Sequence, residues 1–244
     1  TVLQEQRSEI ACLHLAEACD QLFTGHDDGS IRRWNVESGS TITLSAHSNT
    51  ITALASTRHR SSDFLFATGY DGSISVWDVT QGTCDVLPKL EVVHERAHVD
   101  EVLTLAVASL GKNLLSAGNE GTIKVWSSVS FSHQRGLLAV GDLVGHEDAV
   151  LSLAVDGNLL FSGGDDGTVR VWDLHSRGKL GLLRPDAGAV IGLLLLPGNG
   201  WLIVCGSDCT LRVWDTTDRR QLHCWSHGSD RIRCMAVRRE SASI

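Results

Sequence analysis

The sequence Asp-Gly-Thr-Val-Arg-Val-Trp at residues 166–172 decides the fold, because four close variants of it occur elsewhere in the chain. They read Asp-Gly-Ser-Ile-Arg-Arg-Trp, Asp-Gly-Ser-Ile-Ser-Val-Trp, Glu-Gly-Thr-Ile-Lys-Val-Trp and Asp-Cys-Thr-Leu-Arg-Val-Trp, and end at Trp34, Trp77, Trp126 and Trp214. Successive tryptophans, including Trp172, are 43, 49, 46 and 42 residues apart. A period of this length is typical of repeat proteins.

Each phrase predicts a tight turn that leads into a β-strand ending at the tryptophan. An acidic residue followed by Gly favours a turn with positive φ, and the apolar and polar residues after it alternate as in a half-buried strand. Further strands are expected around each phrase. First-strand runs begin at Ile10, Ile51, Val102, Val150, Val190 and, in part, Ile232; second-strand runs begin at Gln21, Phe64, Asn113, Asn158 and Trp201; less regular fourth strands lie at Thr41–Leu44 and Gln221–Trp225.

The expected class is therefore all-β, with each unit a four-stranded antiparallel sheet. The first-strand runs are apolar on both faces, so we expect them to lie deep between neighbouring sheets. Trp201 is predicted to be a core residue, and Trp225, on a fourth strand, to contact partners at an edge. A single sheet cannot bury both of its faces, whereas radial stacking gives each sheet a neighbour on either side.

On these motifs the chain resembles the WD40-repeat β-propeller family. The Trp-Asp dipeptide that marks the family stands at residues 77–78, 172–173 and 214–215, and is altered at 34–35 and 126–127. The Gly-His signature is intact at residues 145–146 and weakened at 46–47, 97–98 and 226–227. The resemblance covers residues 9–237, so we assign residues 1–8 to a lead-in and residues 9–244 to the propeller.

The chain supplies five complete repeats plus one extra strand, Ile232 to Val237. Most proteins of this family resemble seven-bladed rings, so we expect the chain to be part of a seven-bladed propeller; closure into a smaller ring is the alternative. Two segments, Gln81–Ala97 and Ser127–Val144, are longer than their counterparts and are candidate functional insertions.

The resemblance also implies a buried hydrogen-bond network in which an acid holds a His, the His holds a hydroxyl, and the hydroxyl holds the Trp indole. A Ser-His-Asp catalytic triad is the competing interpretation, but active sites rarely repeat along a chain, which favours the structural role. The expected networks are His146, Ser162, Asp166 and Trp172; His98, Ser116, Glu120 and Trp126; and His47, Thr68, Asp71 and Trp77, whose turn is read as one residue shorter. Thr24, Asp28 and Trp34 lack the His, and Cys205, Asp208 and Trp214 lack both the His and the hydroxyl.

Composition restricts the function further. The net charge of −8 argues against general nucleic-acid binding. The exception is a C-terminal cluster of basic residues: Arg219, Arg220, Arg231, Arg233, Arg238 and Arg239. The longest apolar run, Ala189 to Leu196, is too short to span a membrane, and no signal peptide is recognised. Seven cysteines, an odd number, favour reduced thiols and a cytoplasmic location, with the nucleus as the alternative.

No metal or cofactor is expected. Cysteines 205, 209, 224 and 234 lie near His223 and His227, but no second cysteine pair completes a zinc site. Phosphate-loop, nucleophile-elbow and calcium-loop motifs are also missing from the sequence.

The resemblance implies a non-catalytic scaffold that docks protein or peptide partners on its propeller face within a larger complex. The expected docking residues lie just before the turn acids or just after the network His residues: Asp27, Tyr70, Asp100, Asn119, Glu147, Asp165 and Ser207. They are acidic as a group, which favours a basic peptide or surface, and Tyr70, the only tyrosine, is the expected aromatic anchor.

Two other functions stay open. One is a substrate-recognition subunit of a ubiquitin ligase. Relatives of that kind often carry an Arg two residues past the Trp-Asp pair, where this chain has Thr80, His175 and Thr217, which counts against it. The other is an enzyme built on a propeller.

Overall fold

The computed structural model describes residues 8–16, 21–59, 61–80, 88–108, 113–127, 137–196, 198–226, 228, 232 and 235. Every regular element in these ranges is a β-strand, and the strands form five four-stranded antiparallel sheets. The all-β class and the five complete repeats are therefore confirmed. The chain divides into two compact units, Thr1–Gly145 with three sheets and His146–Ile244 with two.

The first unit holds repeats 1 to 3. Repeat 1 contains β1 (Ile10–Ala16), β2 (Gln21–His26), β3 (Ser30–Trp34) and β4 (Thr41–Ser45). Repeat 2 contains β5 (Ile51–His59), β6 (Ser62–Gly69), β7 (Ile74–Asp78) and β8 (Lys89–His94). Repeat 3 contains β9 (Val102–Ala108), β10 (Asn113–Gly118), β11 (Thr122–Ser127) and β12 (Leu138–Val144).

The second unit holds repeats 4 and 5. Repeat 4 contains β13 (Val150–Asp156), β14 (Leu159–Gly164), β15 (Val169–Asp173) and β16 (Gly178–Leu183). Repeat 5 contains β17 (Val190–Leu196), β18 (Trp201–Gly206), β19 (Thr210–Asp215) and β20 (Gln221–Ser226).

Within every sheet, each strand pairs with the next strand along the chain, and the register is the same. The tryptophan on the third strand always lies opposite a leucine on the second. The pairs are Leu22–Trp34, Leu65–Trp77, Leu114–Trp126, Leu160–Trp172 and Leu202–Trp214. This constant register allows any residue of one repeat to be matched with its counterpart in another.

The hairpin between the second and third strands explains the acid-Gly pair in the repeated phrase. The backbone N–H of Gly167 donates a 3.2 Å hydrogen bond to the carbonyl of Gly164, and Gly167 has a φ of 72°. Gly72 makes the matching bond to Gly69 with a φ of 71°. Glycine adopts this left-handed conformation without the steric cost that a side chain imposes, so the predicted turns with positive φ are confirmed.

The core lies between successive sheets of each unit. In the second unit, Phe161 and Val171 of repeat 4 pack with Leu202 and Val204 of repeat 5, and all four are buried. In the first unit, Phe23 and other apolar residues of repeat 1 pack against repeat 2, whose opposite face packs against repeat 3. Burying this apolar surface is the main driving force for folding of a repeat that has no core of its own.

The burial expected for the first strands is wrong for β1. Ile10, Leu13 and Leu15 are 56%, 71% and 55% exposed. No described sheet of the first unit packs on the face that Leu13 and Leu15 share. Trp201, expected in the core, is 36% exposed at the start of β18. Trp225 is 55% exposed on β20.

Several sequence expectations fall wholly or partly outside the described residues. Of the extra strand from Ile232 to Val237, only Ile232 and Met235 are described, and both are half-buried. The segment Gln81–Ala97 contains β8, and Ser127–Val144 contains β12; residues 81–87 and 128–136 are not described. The seven-bladed ring stays a prediction.

Candidate functional site

Repeat 4 contains a continuous hydrogen-bond network beneath the β14–β15 hairpin. The indole Nε1 of Trp172 donates to Ser162 Oγ at 2.8 Å, and Ser162 Oγ lies 2.7 Å from His146 Nε2. His146 Nδ1 lies 2.9 Å from Asp166 Oδ2. A carboxylate only accepts hydrogen bonds, so Nδ1 carries the proton and Nε2 accepts the Ser162 hydroxyl. The four predicted residues are thus joined in the expected order.

The protonation of this network follows from its burial. Burial lowers the pKa of His146 below its usual 6.5, although Asp166 works in the opposite direction. Burial would raise the pKa of Asp166, but hydrogen bonds from the Thr168 side chain and from the backbone N–H groups of Glu147 and Thr168 outweigh it and lower that pKa to about 2. At neutral pH the network therefore holds a carboxylate and a neutral imidazole.

Repeat 3 has the same network with a longer acid. Trp126 Nε1 donates to Ser116 Oγ at 2.8 Å, and His98 joins Ser116 and Glu120 through two 2.6 Å contacts. His98 is 2% exposed, and burial lowers its pKa. Glu120 is one methylene longer than Asp166, and the hydrogen bonds that join acid, His, Ser and Trp are all kept.

Repeat 2 differs from the expected network. Trp77 Nε1 donates to Ser75 Oγ at 3.1 Å, and Ser75 Oγ lies 2.8 Å from His47 Nε2. His47 Nδ1 contacts Asp71 at 3.2 Å, as expected. The prediction of Thr68 as the hydroxyl is wrong, because Thr68 Oγ1 contacts Thr52 Oγ1 instead.

The constant register gives the reason for this correction. Ser162 lies two residues beyond the leucine opposite Trp172, and the matching residue of repeat 2 is Ala67. Ala67 pairs across the hairpin with Ser75, so the hydroxyl has moved to the neighbouring strand. The hairpin of repeat 2 is not shorter than that of repeat 4, and Thr68 corresponds to Gly163.

Repeat 1 has a His that the sequence analysis missed. Trp34 Nε1 donates to Thr24 Oγ1 at 2.8 Å, and Thr24 Oγ1 lies 2.8 Å from His26 Nε2. The other ring nitrogen of His26 lies 3.1 Å from Ser8 Oγ. The signal was available, because residues two apart on a strand point to the same face, which places His26 beside Thr24.

Repeat 5 lacks the network, as its sequence indicated. Val204 occupies the hydroxyl position, and Cys205 lies one residue further. The buried Nε1 of Trp214 has no hydrogen-bond partner among the residues that the structure describes. The turn acid of repeat 5 forms an ion pair, in which Arg212 Nη2 lies 2.9 Å from Asp208 Oδ2. Repeats 3 and 4 have the same pair beside their His, at 3.7 Å and 3.5 Å. Cys209 occupies the glycine position of the turn with a φ of 64°.

All seven predicted docking residues lie in turns or loops at the hairpin end of their own sheets, and all seven are exposed. In the first unit they are Asp27, Tyr70, Asp100 and Asn119; in the second they are Glu147, Asp165 and Ser207. Val99, which follows His98, is 94% exposed and was not among them.

The family model of the WD domain, G-beta repeat, matches residues 38–78, 90–127, 138–173 and 181–215. These matches cover more than half of the chain. The chain belongs to the WD40-repeat family.

Relatives of this WD40 chain have varied names. It is 34% identical over 136 residues to the Ribosome biogenesis protein WDR12 homolog of Chlamydomonas reinhardtii, covering 55% of this chain and 28% of that protein. It is 34% identical over 140 residues to human Striatin-3, covering 52% of this chain and 16% of that protein. The chain thus spans less than a third of the length of either relative.

A solved structure shows the WD40 propeller fold. A chain in the Crystal Structure of Mitotic Checkpoint Complex superposes with a TM-score of 0.82 at 20% identity, over 96% of this chain and 72% of that one. At this identity the likeness establishes the fold alone.

The geometry of the WD40 networks excludes a catalytic role for their serines. Ser116 and Ser162 are 0% exposed, and each accepts an indole N–H while donating to a His. A nucleophile must reach substrate, and these hydroxyls cannot. Members of the WD40 family are generally non-catalytic interaction modules.

Other potential sites were checked within the part of the chain that the structure describes. No group of three or more His, Cys, Asp or Glu side chains there could hold a metal ion. Arg219 and Arg220 of the basic cluster are exposed, and Arg219 Nη1 donates to the carbonyl of Leu180 at 2.8 Å. The other four arginines of that cluster lie outside the described residues. A helix long and apolar enough to cross a membrane does not occur in the described residues.

Proposed function

We propose that this chain is a non-catalytic scaffold that docks protein or peptide partners at the hairpin ends of its WD40 repeats, as one subunit of a larger complex. The observation that carries the proposal is the contrast between the buried networks and the turns above them. His98 and His146 have fully buried side chains, whereas all seven docking residues are exposed. The backbone of these turns is already ordered by hydrogen bonds, so little backbone entropy is lost when a partner binds.

The charge of these turns supports a basic partner. In the first unit, Asp27, Asp100 and Asn119 lie in the exposed turns and loops, and Glu101 and Glu120 lie close to them. Carboxylates at a docking surface steer a basic peptide or surface toward it and disfavour an acidic one. We therefore propose partners that present Lys or Arg.

We also propose a cytoplasmic or nuclear location. Four cysteines are described, Cys12, Cys205, Cys209 and Cys224, and all are free thiols. Burial raises the pKa of Cys12 to about 11, which keeps its thiol protonated and unreactive. Buried reduced thiols are typical of proteins in reducing compartments.

Affinity capture from source cells, read by mass spectrometry, tests the scaffold proposal. The wild-type chain is compared with a Tyr70→Ala, Asp165→Arg double variant, which changes one exposed residue in each unit. We expect a stoichiometric set of proteins with the wild type and loss of at least one member with the variant. Absence of any stoichiometric partner contradicts the proposal.

A further inference from the structure

The five repeats can be compared position by position, because equivalent residues occupy the same place in the fold. The residue just before the turn acid is Asp27, Tyr70, Asn119, Asp165 or Ser207 in the five repeats. In repeats 2, 3 and 4 the network His lies in the loop before the first strand, and the residue after it is Ser48, Val99 or Glu147. Every one of these residues is small, polar or charged except Tyr70 and Val99.

Packing does not account for the valine, and the tyrosine is partly exposed. Val99 is 94% exposed and Tyr70 is 42% exposed. An exposed valine contributes almost nothing to the free energy of folding, since its apolar surface stays in water in the folded state. The side chain of Val99 is therefore available for contact with another molecule.

The two residues lie on segments that are fixed against each other. The backbone N–H of His98 donates to the carbonyl of Gly72 at 3.0 Å, so the turn Tyr70–Ser73 rests on the loop before β9. A Cβ on Gly72 would lie 3.0 Å from the carbonyl oxygen of Asp100, so no side chain separates the segments.

Further hydrogen bonds hold each segment in place. The N–H of Tyr70 donates to the Thr50 carbonyl at 3.0 Å, and the N–H of Val99 donates to Glu120 Oε2 at 3.2 Å. Tyr70 and Val99 are thus presented by a preorganised backbone, which is typical of residues that dominate binding energy.

Acidic groups surround this pair. Asp100 follows Val99 directly and is exposed, and Glu101 is held by Asn119 through a 2.8 Å hydrogen bond. Glu120 has one nearby cation, Lys124, at 3.7 Å. Arg96 is the one exposed basic side chain described in the adjoining loop. The surroundings therefore favour positive charge beside an apolar contact.

We propose that Tyr70, Val99 and Asp100, the Tyr70–Val99 patch, receive an apolar side chain of a protein segment whose flanking residues are Lys or Arg. The apolar side chain packs against the Tyr70 ring and the Val99 methyl groups, and the flanking cations lie near Asp100 and Glu101. This proposal rests on the scaffold function and specifies where the partner docks and which residues it presents.

A displayed library of random peptides tests the patch. The library is selected on the wild-type chain after removal of peptides that bind a Tyr70→Ser, Val99→Ser double variant. We expect enrichment of peptides with an apolar residue beside Lys or Arg. Failure to enrich any peptide over the double variant, or enrichment of acidic peptides, overturns the proposal.

The most enriched peptide is then titrated by fluorescence anisotropy. Val99→Ser should weaken its binding at least about tenfold, whereas Val99→Ile should retain it. Val36→Ser is the matched control, since Val36 is 62% exposed at the opposite end of β3, and it should leave affinity unchanged. Equal affinities for all three variants contradict the proposal.

The two proposals fail in different ways. If cellular partners are captured equally by wild type and by Val99→Ser, the patch is refuted while the scaffold function stands. If no partner is captured at all, the scaffold function is refuted, and the patch with it.

Discussion

Trp77 Nε1 donates a 3.1 Å hydrogen bond to the hydroxyl of Ser75, which lies two residues earlier on the same strand. In repeats 3 and 4 the indole instead bonds to a serine on the preceding strand. The hydroxyl has therefore changed strand while the bonds to the indole and the His have been kept. Repeats 2, 3 and 4 therefore all keep a hydroxyl oxygen between the Trp indole and the His ring, whichever strand supplies it.

Ser75→Ala should lower the free energy of unfolding by about 1–3 kcal/mol, because it leaves the buried Trp77 indole and His47 ring nitrogen unsatisfied. Ala67 lies directly opposite Ser75, so the double variant Ala67→Ser, Ser75→Ala should recover much of the loss. Urea denaturation of the three proteins measures both effects. A double variant no more stable than Ser75→Ala would show that the position of the oxygen is not what matters.

Asp166→Ala should lower the free energy of unfolding by about 1–3 kcal/mol, since it removes the acceptor of the hydrogen bonds from the His146 ring N–H and the Thr168 hydroxyl. The neighbouring Asp165 is exposed, and Asp165→Ala is the matched control with little expected effect. Thermal unfolding followed by circular dichroism compares them. A melting temperature that does not move with Asp166→Ala contradicts the structural role of the network.

Val204→Thr tests the unsatisfied indole of Trp214. The threonine hydroxyl would occupy the place that Ser162 has in repeat 4 and could accept the orphaned N–H. The control is Val169→Thr, which places a hydroxyl at a fully buried apolar site. We expect Val204→Thr to lower the free energy of unfolding by at least about 1 kcal/mol less than Val169→Thr does. Equal losses in denaturation experiments would mean that the hydroxyl does not reach the indole.

Cys209→Gly should stabilise the protein by up to about 1 kcal/mol. Cys209 has a φ of 64°, a left-handed backbone conformation that strains any residue with a Cβ more than it strains glycine. The equivalent residue of repeat 4 is Gly167, with a φ of 72°. Cys209→Ala is the control, because it removes the thiol but keeps the strained Cβ. If both variants shift the denaturation midpoint equally, strain is not the cause.

Stability should fall as the pH is lowered from about 7.5 to about 5. Burial lowers the pKa of His26, His98 and His146 in the folded protein below the usual 6.5. The unfolded chain therefore binds more protons below that pH, so acid favours unfolding. The carboxylates add to this only at lower pH, because the pKa of Asp166 is about 2 and its contribution is lost below its usual 3.8.

Denaturation midpoints across that pH range measure the effect. His146→Gln should reduce the slope of stability against pH, whereas the same change at the exposed His175 should leave it unaltered. A stability that is flat or rises toward acid pH would contradict the burial of neutral imidazoles.

The fold was predictable because its signals are local and repeated. The acid-Gly turn, the alternating strand and the tryptophan recur in every repeat, so one correct interpretation assigns five sheets. Burial was less predictable, because it depends on which sheets pack together. The run that begins at Ile10 is as apolar as its counterparts, yet Leu13 is 71% exposed.

The networks were predictable only where the register was read correctly. Counting ten residues back from Trp77, as from Trp172 to Ser162, gives Ala67 and directs attention to Ser75. Thr68 is the nearest hydroxyl on the second strand, but it lies nine residues before Trp77 and points to the opposite face from Ala67. His26 escapes the family pattern because it lies at the end of β2 and not in the loop before the first strand. The partner's identity lies beyond such reasoning, since exposed turn residues carry no constraint from the fold.

The most direct test of the interaction function is quantitative affinity capture with wild type, Val99→Ser and Val36→Ser, each shown to have the same melting temperature. We predict that wild type and Val36→Ser retain the same partners in equal amounts and that Val99→Ser loses at least one of them. Equal capture by all three variants would contradict docking at Val99, and capture of no partner by any of them would contradict the scaffold function itself.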